Sequence, residues 1–151
     1  MRFEEGNFDD PKVVALLEAH VSRARAETGR GSAHALDLSG LRTPDIRFWT
    51  LWRGDQLLGM GALKTLSHDH GEIKSMYTAE SARKSGTGAA MLAHIIAEAG
   101  AMGMTRLSLE TGAWDYFGPA RAFYRRHGFI ECAPFADYKP DPNSVFMTRV
   151  V

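Results

Sequence analysis

The chain has 151 residues, of which 44% are hydrophobic and 24% are charged, and these values are typical of one ordinary globular domain. Its 18 basic and 18 acidic residues give zero formal net charge, which argues against a nucleic-acid or anionic-lipid partner. The single cysteine excludes an intramolecular disulfide, and the lack of a secretion signal or of an apolar run of about 18 residues leads us to expect a cytoplasmic protein with no membrane contact.

The first part of the chain predicts a short strand, one helix and an antiparallel meander. Asp10 followed by Pro11 is typical of a helix start, and apolar residues at helical spacing extend this helix to about Ala26. The segment 29–37 is interpreted as a loop or a broken second helix with polar Ser32, His34 and Asp37 as candidates near a site, and His34 with Ser32 is a candidate for the border of an acceptor pocket. Strands are expected at 1–5, 46–52, 56–66 and 71–78, and turn signals join the last three.

The second part alternates helices and strands. We expect helices over 89–102 and from Pro119 to about Gly128, and strands over 105–109, 129–132 and 144–150. A helical crossover places the strands 71–78 and 105–109 in parallel. The predicted fold class is therefore α+β, a single domain of residues 1–151 built around one mixed sheet.

The most informative segment lies between a predicted strand and a predicted helix. It reads Arg83-Lys84-Ser85-Gly86-Thr87-Gly88-Ala89. The first amides of a helix have no internal partners, glycines allow a ligand to approach the backbone, and two cations add positive charge, so the segment suits a pyrophosphate. A plain glycine-rich helix start is the alternative. A Walker loop would need Gly-Lys-Ser/Thr, and a dinucleotide fingerprint would need glycine at Met91.

Three segments in this order resemble motifs of the GNAT superfamily of acyl-CoA-dependent N-acyltransferases. The segment 83–88 resembles its Arg/Gln-x-x-Gly-x-Gly/Ala motif, 72–78 resembles its fourth strand, and 122–129 resembles its downstream Tyr…Gly-Phe motif. The chain as a whole is similar to small stand-alone bacterial members. The resemblance implies a fold of about seven strands and about four helices, with an N-terminal antiparallel meander and a central parallel pair that splays apart.

The resemblance also implies acetyl-CoA as co-substrate and no metal. Backbone amides of the loop would hold the pyrophosphate, and the pantetheine arm would lie along the fourth strand like an added strand, with the acetyl carbonyl near the Met76 amide. The implied cofactor-binding residues are Met76, Tyr77, Thr78, Arg83, Lys84, Ser85, Gly86, Thr87, Gly88 and Ala89.

Two side chains are implied in catalysis. Tyr124 matches the family's general acid, which gives a proton or a hydrogen bond to the leaving thiolate, and Glu72 is the first candidate for the base that deprotonates the amine. For Tyr124, a half-buried core tyrosine on a short helix is the alternative. Strand alternation predicts Glu72, Lys74 and Met76 on one face. For Glu72, a surface carboxylate paired with Lys74 or Arg47 is the alternative, and Glu110, Asp115 or water are alternative bases.

These residues predict an N-acetyltransferase that acts directly, in a ternary complex, on a primary amine of a small acceptor. The alternatives are a non-catalytic CoA-binding module or sensor and a nucleotide-binding domain. Trp114, Tyr116 and Phe117 are candidates for an apolar acceptor wall or for ordinary packing, and His68-x-His70 lacks an evident third metal ligand. A homodimer is common among the proteins that the chain resembles.

Overall fold

The computed structural model of the chain describes residues 1–27 and 35–151. Ser32 and His34, the two candidates for the border of an acceptor pocket, therefore lie outside the described residues.

Within that described part, seven strands form one mixed sheet with helices on both faces. The strands are β1 (Arg2–Glu5), β2 (Ile46–Arg53), β3 (Gln56–Ser67), β4 (His70–Thr78), β5 (Arg106–Gly112), β6 (Ile130–Cys132) and β7 (Ser144–Val150). The helices are α1 (Pro11–Ala26), α2 (Leu38–Leu41), α3 (Thr87–Ala101) and α4 (Gly118–Arg126), and single 3-10 turns lie at Glu80–Ala82 and Asp115–Phe117. None of the described helices is long and apolar enough to cross a bilayer.

The sheet order is β1-β2-β3-β4-β5-β7-β6, and β4 and β5 are the parallel neighbours in it. The remaining neighbours pair antiparallel. The predicted α+β class, the N-terminal meander and the central parallel pair are therefore confirmed.

Helix α1 begins as the sequence predicts. The Asp10 carboxylate accepts a hydrogen bond of 2.9 Å from the Lys12 amide, and Pro11 occupies the first turn. Val13, Leu17 and Val21 lie on one stripe and are buried. The short helix α2 begins just after the segment 29–37, for which a broken helix was one of two interpretations; residues 38–41 themselves were not predicted as helical, because four residues that include a glycine carry no helical period. Asp37 caps α2 by accepting from the Gly40 amide at 3.0 Å.

Two apolar clusters lie on opposite faces of the sheet. On one face, α3 and α4 pack through Met91, Leu92, Ile95 and Tyr124 against strand residues such as Leu107. On the other, α1 and α2 pack through Val13, Leu17 and Leu41 against residues such as Phe48 and Met60. Strands β2 and β3 contribute alternate side chains to both clusters, so these two strands connect them.

The parallel pair separates soon after it forms. β4 and β5 pair only from His70–Arg106 to Glu72–Ser108, while β4 continues beside β3 and β5 continues beside β7. The two strands therefore diverge toward their carboxyl ends and leave a gap in the middle of the sheet. β5 also runs three residues beyond the predicted end at Leu109, which places Glu110 within the strand.

A β-bulge in β4 overturns one prediction. Ser75 has φ = 56°, and the β3–β4 register shifts between the pairs Met60–Tyr77 and Ala62–Lys74. The extra residue reverses the alternation, so Met76 packs with the α3-side cluster while Lys74 faces the opposite side, toward Tyr138. The expectation that Glu72, Lys74 and Met76 share one face is therefore wrong for Met76.

Candidate functional site

The gap between β4 and β5 opens into a cavity of about 630 Å³. Residues 72–78 of β4 and 109–112 of β5 form its opposite sides, and Arg83 and Lys84 lie at one end. Tyr124, from α4, reaches the same cavity. Both predicted catalytic side chains and two cations of the predicted phosphate loop therefore meet at one opening.

The loop before α3 has the backbone of an anion-binding turn. Lys84 and Gly86 both adopt left-handed conformations, with φ = 63° and 84°. Gly86 precedes the first turn of α3, no side chain caps that turn, and a Cβ built on Gly86 would meet no atom within 4 Å. The first amides of α3 therefore face open space at the positive end of the helix dipole, which fits a diphosphate group.

The neighbouring side chains hold the loop in this shape. The Ser85 hydroxyl donates to the Ala82 carbonyl and lies 2.8 Å from the Thr87 hydroxyl, and the Thr87 side chain is buried. Arg83 donates to the Tyr77 hydroxyl at 3.3 Å, so this cation lies beside the end of β4. The positively charged Arg83 is therefore held next to the end of β4 that borders the cavity.

Tyr124 is a phenol in an apolar setting. Its ring lies 5.2 Å from that of Phe123 and 5.5 Å from that of Phe129, and the residue is only 7% exposed. Burial raises the pKa of Tyr124, because the phenolate would lose its hydration. The side chain is therefore held as a neutral phenol at the cavity, in the protonation state that a proton donor requires.

Glu72 is not a surface residue. It is 2% exposed, and its Oε2 accepts a hydrogen bond of 2.7 Å from Tyr138 and one of 3.2 Å from Lys74. Lys74 also donates to the Tyr138 hydroxyl at 3.0 Å, which closes a triangle of three side chains. The alternative pairing with Lys74 is thus present, whereas Arg47 pairs with Glu5 and Glu98.

Sequence reasoning missed Tyr138. It lies in the irregular segment between β6 and β7 and contacts Glu72 across 66 residues of chain. No local pattern marks such a contact, and three prolines near it indicate only a loop. Burial, followed by the negative charge of Glu72, raises the pKa of Tyr138, so it also stays a neutral donor.

Glu110 lies in the same cavity on β5. It is two residues beyond Ser108, the β5 neighbour of Glu72, and therefore projects from the same face of the sheet as Glu72. Burial raises the pKa of Glu110 to about 7, and the negative charges of Glu72 and Asp141 act in the same direction. Lys74 and the Ser144 hydroxyl oppose this shift.

A second cavity of about 550 Å³ lies on that same face. It shares Leu36, Glu72 and Lys74 with the first cavity, and it continues past Tyr138 and Lys64. Glu72 and Lys74 therefore stand where the two spaces adjoin, on the face opposite to the α3 helix, and Glu110 borders the first cavity on that face.

The aromatic candidates for an acceptor wall differ in whether they line the first cavity. Tyr116 and Phe117 line the first cavity, whereas Trp114 is 46% exposed and donates to the Asn143 side chain at 2.7 Å. His20 also lines this cavity, and burial lowers the pKa of His20 to about 4.

The two histidines with metal-like spacing do not form a site. His70 lies 2.7 Å from the Ser108 hydroxyl, and the His68 side chain is 93% exposed. Among residues 1–27 and 35–151, no three His, Cys, Asp or Glu side chains are grouped so that they could hold a metal ion.

Cys132 is half-buried, and burial raises the pKa of its thiol.

Comparison with known proteins agrees with this geometry. The model of the acetyltransferase (GNAT) family matches residues 12–129. The chain is 51% identical, over 138 residues that cover 91% of each chain, to YsnE of Bacillus subtilis (strain 168), described as an uncharacterized N-acetyltransferase.

Solved structures share the whole fold. A proposed acyl-CoA N-acyltransferase of Klebsiella pneumoniae superposes with a TM-score of 0.82 at 28% identity, over 99% of this chain and 96% of that one. An aminoglycoside 6'-N-acetyltransferase in complex with coenzyme A superposes with a TM-score of 0.73 at 15% identity, over 99% and 97% of the two chains, which is a likeness in fold.

Proposed function

Since this chain belongs to the acetyltransferase (GNAT) family, we propose that it transfers an acetyl group from acetyl-CoA to a primary amine of a small acceptor, directly and within a ternary complex. A relative of the same fold is bound to coenzyme A, which supports an acyl-CoA as the donor. The acetyl group, the amine and the direct transfer are the proposed details.

One observation carries the proposal. Arg83 and Lys84 of the loop before α3, the gap between β4 and β5 and the phenol of Tyr124 all border one cavity, and the open amides at the start of α3 follow directly after these two cations. A diphosphate at the loop would direct an extended arm into the gap, beside the unpaired length of β4. The thioester at the end of that arm would then lie near Tyr124.

Acetyl-CoA would supply the electrophilic thioester carbonyl. The backbone amides of residues 84–89 and the Arg83 side chain would bind its diphosphate, and residues 76–78 would bind the pantetheine arm through their backbone. The Met76 amide would polarise the carbonyl. Tyr124 would donate the proton that the thiolate takes up, since burial keeps it a protonated phenol and it lies on the cavity wall.

An ammonium acceptor must lose a proton before it can attack. Glu72, the base expected from the sequence, and Glu110 both line the cavity on the face that adjoins the second space. A carboxylate there would attract the ammonium group and accept its proton. The apolar wall of Tyr116 and Phe117 supports an acceptor with an apolar body.

The direct test is thiol release from acetyl-CoA with a panel of primary amines: benzylamine, tyramine, putrescine, glycine and L-lysine. We expect release with at least one amine, and a rise in melting temperature with acetyl-CoA alone. Absence of that thermal shift would refute the proposal. Binding of acetyl-CoA without thiol release for any amine would favour the alternative, a non-catalytic CoA-binding module. A cytoplasmic location and a homodimer stay predictions, and sedimentation velocity tests the latter.

A further inference from the structure

Within the proposed acetyl transfer, on which this inference rests, we infer that Glu110 accepts the proton of the acceptor amine, and that Glu72 is a positioning residue held by Lys74 and Tyr138. The two carboxylates lie on the same face of neighbouring strands and border the same cavity. In the part of the chain that the structure describes, Glu72 has a cation and a phenol as partners and Glu110 has neither as a partner of its own, and we assign the two roles from this difference.

The Glu72 carboxylate is already bound by two neighbouring side chains. Its Oε2 accepts from both Tyr138 and Lys74, and the side chain is 3% exposed beside a Lys74 side chain that is 10% exposed. A proton transferred to Glu72 would leave the buried Lys74 ammonium without its counter-charge. Such a step is costly in a poorly hydrated site, so Glu72 is suited to hold charge and to fix the Tyr138 segment.

Glu110 has the opposite setting. It is half-buried, it follows the point where β4 and β5 separate, and it borders the cavity together with Tyr124 from across the gap. Among the residues that the structure describes, four ionisable groups act on it electrostatically: Glu72 and Lys74 from β4, and Tyr138 and Asp141 from the segment before β7. Lys74 is committed to Glu72, so Glu110 lacks a cation of its own among these groups.

This setting suits a base that works at neutral pH. A carboxyl group whose pKa is about 7 takes up a proton near neutrality and releases it again, whereas an ordinary glutamate is a much weaker base. Glu110 also borders the same cavity as Tyr124, which the proposed function places beside the thioester.

The proton balance is complete without another reactant. One N–H bond of the ammonium breaks as an O–H bond forms on Glu110, and the neutral amine attacks the carbonyl carbon. The C–N bond forms and the C–S bond breaks, and Tyr124 donates its proton to the leaving thiolate. The second nitrogen proton then passes through water to the Tyr124 phenolate and restores the phenol. Glu110 then returns its proton to water.

The experiment compares wild type with Glu110→Gln, and with Glu131→Gln as the matched control. Glu131 is a carboxylate of the same sheet, on the edge strand β6, and its side chain is 63% exposed. The rate of thiol release is measured from pH 5.5 to 9 with acetyl-CoA and whichever amine of the panel above reacts fastest. In parallel, the carboxyl carbons of glutamates labelled with carbon-13 are titrated by NMR, and Glu110 is assigned from the spectrum of its variant.

In wild type and in Glu131→Gln, we expect kcat/KM for the amine to rise with pH and to level off above about pH 7. In Glu110→Gln we expect a loss of about 100-fold near pH 7, and a rate that keeps rising toward pH 9 with the fraction of neutral amine. We also expect the Glu110 carboxyl to titrate near neutrality.

A wild-type pH profile in Glu110→Gln would overturn the inference, and so would a Glu110 midpoint near the ordinary glutamate value of about 4.3. Wild type that releases no thiol with any panel amine would instead count against the proposed function. The NMR titration would then decide on Glu110 by itself, because it needs neither acceptor nor activity.

Discussion

At the scale of single residues, the cavity holds two half-buried ionisable groups that affect stability in opposite directions. Burial raises the pKa of Glu110 from 4.5 to about 7, so its contribution is fully present below pH 4.5 and is lost as the pH rises through 7. Burial lowers the pKa of His20 from 6.5 to about 4, so its contribution is present above pH 6.5 and is lost as the pH falls toward 4. Between about pH 4.5 and 6.5, stability lost through Glu110 as the pH rises is nearly offset by stability gained through His20.

We therefore predict that Glu110→Gln stabilises the protein, and that the gain depends on pH. Relative to wild type, the free energy of unfolding should be nearly unchanged at pH 4.5 and higher by about 2–3 kcal/mol at pH 8. Urea unfolding at these two pH values measures the difference, with Glu131→Gln as the control that should show neither change. A gain that is equal at both pH values would contradict the raised pKa.

Tyr124→Phe should separate catalysis from binding. Within residues 1–27 and 35–151 the Tyr124 hydroxyl has no hydrogen-bond partner, so its removal should change the melting temperature little. If the phenol protonates the thiolate, kcat should fall about 100-fold while the affinity for acetyl-CoA stays near wild type. Thiol release and a binding titration give the two quantities, and a wild-type kcat would remove Tyr124 from the role of acid.

The sequence reveals some of these residues and hides others for a physical reason. Gly86 and Tyr124 stand in local motifs, so neighbouring residues alone make them candidates for the site, and the structure places Tyr124 on the cavity wall. Glu110 was only one of several candidate bases, because its pKa depends on burial by strands and loops that are distant in sequence. The hydrogen bond of Tyr138 to Glu72 is likewise a product of the folded chain.

At the scale of elements, the glycine in the turn before α3 can be compared with a second glycine at the other end of the same helix. Gly86 and Gly103 both have φ = 84°, and a Cβ on either would meet no atom within 4 Å. Alanine at either position should therefore cost a similar backbone strain, about 1–2 kcal/mol. Only Gly86→Ala should also weaken acetyl-CoA binding, by about tenfold, because it shifts the amides of Thr87–Ala89.

Thermal melts and acetyl-CoA titrations of the two variants make that comparison. Equal losses of affinity in Gly86→Ala and Gly103→Ala would show that strain, and not the position of the amides, affects binding. That result would count against the turn as the diphosphate site.

The segment between β6 and β7 should depend on Tyr138 for its attachment to β4. Tyr138→Phe removes the hydroxyl that donates to Glu72 and accepts from Lys74, and hydrogen bonds to charged groups are worth about 1.5–3 kcal/mol. We predict a loss of that order in the free energy of unfolding, and faster amide exchange in residues 133–143. Wild-type exchange there would show that other contacts hold the segment.

Element prediction succeeded where local chemistry decides the outcome. The Asp10–Pro11 start of α1 and the turns of the meander are local, and they lie where the sequence places them. The bulge at Ser75 could not be predicted, because a serine rarely adopts a left-handed conformation and nothing near it in sequence requires one. That single extra residue is what turns Met76 toward α3.

At the scale of the whole molecule, strands β2 and β3 contribute side chains to both apolar clusters, and the proposed cofactor site lies where β4 and β5 separate. We therefore predict that both faces unfold together and that acetyl-CoA stabilises them equally. Trp49 belongs to the α3-side cluster and Trp52 to the α1-side cluster, which gives a reporter on each face. Trp114 is the third tryptophan and is largely exposed.

The measurement uses two variants, each with one tryptophan: Trp52→Phe/Trp114→Phe keeps Trp49, and Trp49→Phe/Trp114→Phe keeps Trp52. In each variant, fluorescence and far-UV circular dichroism should give the same urea midpoint. Acetyl-CoA at 100 times its dissociation constant should raise the free energy of unfolding by about 2.7 kcal/mol in both. If acetyl-CoA raised the urea midpoint only in the variant that keeps Trp49, the cofactor would stabilise the α3 side of the sheet alone. The two faces would then unfold separately, against the prediction.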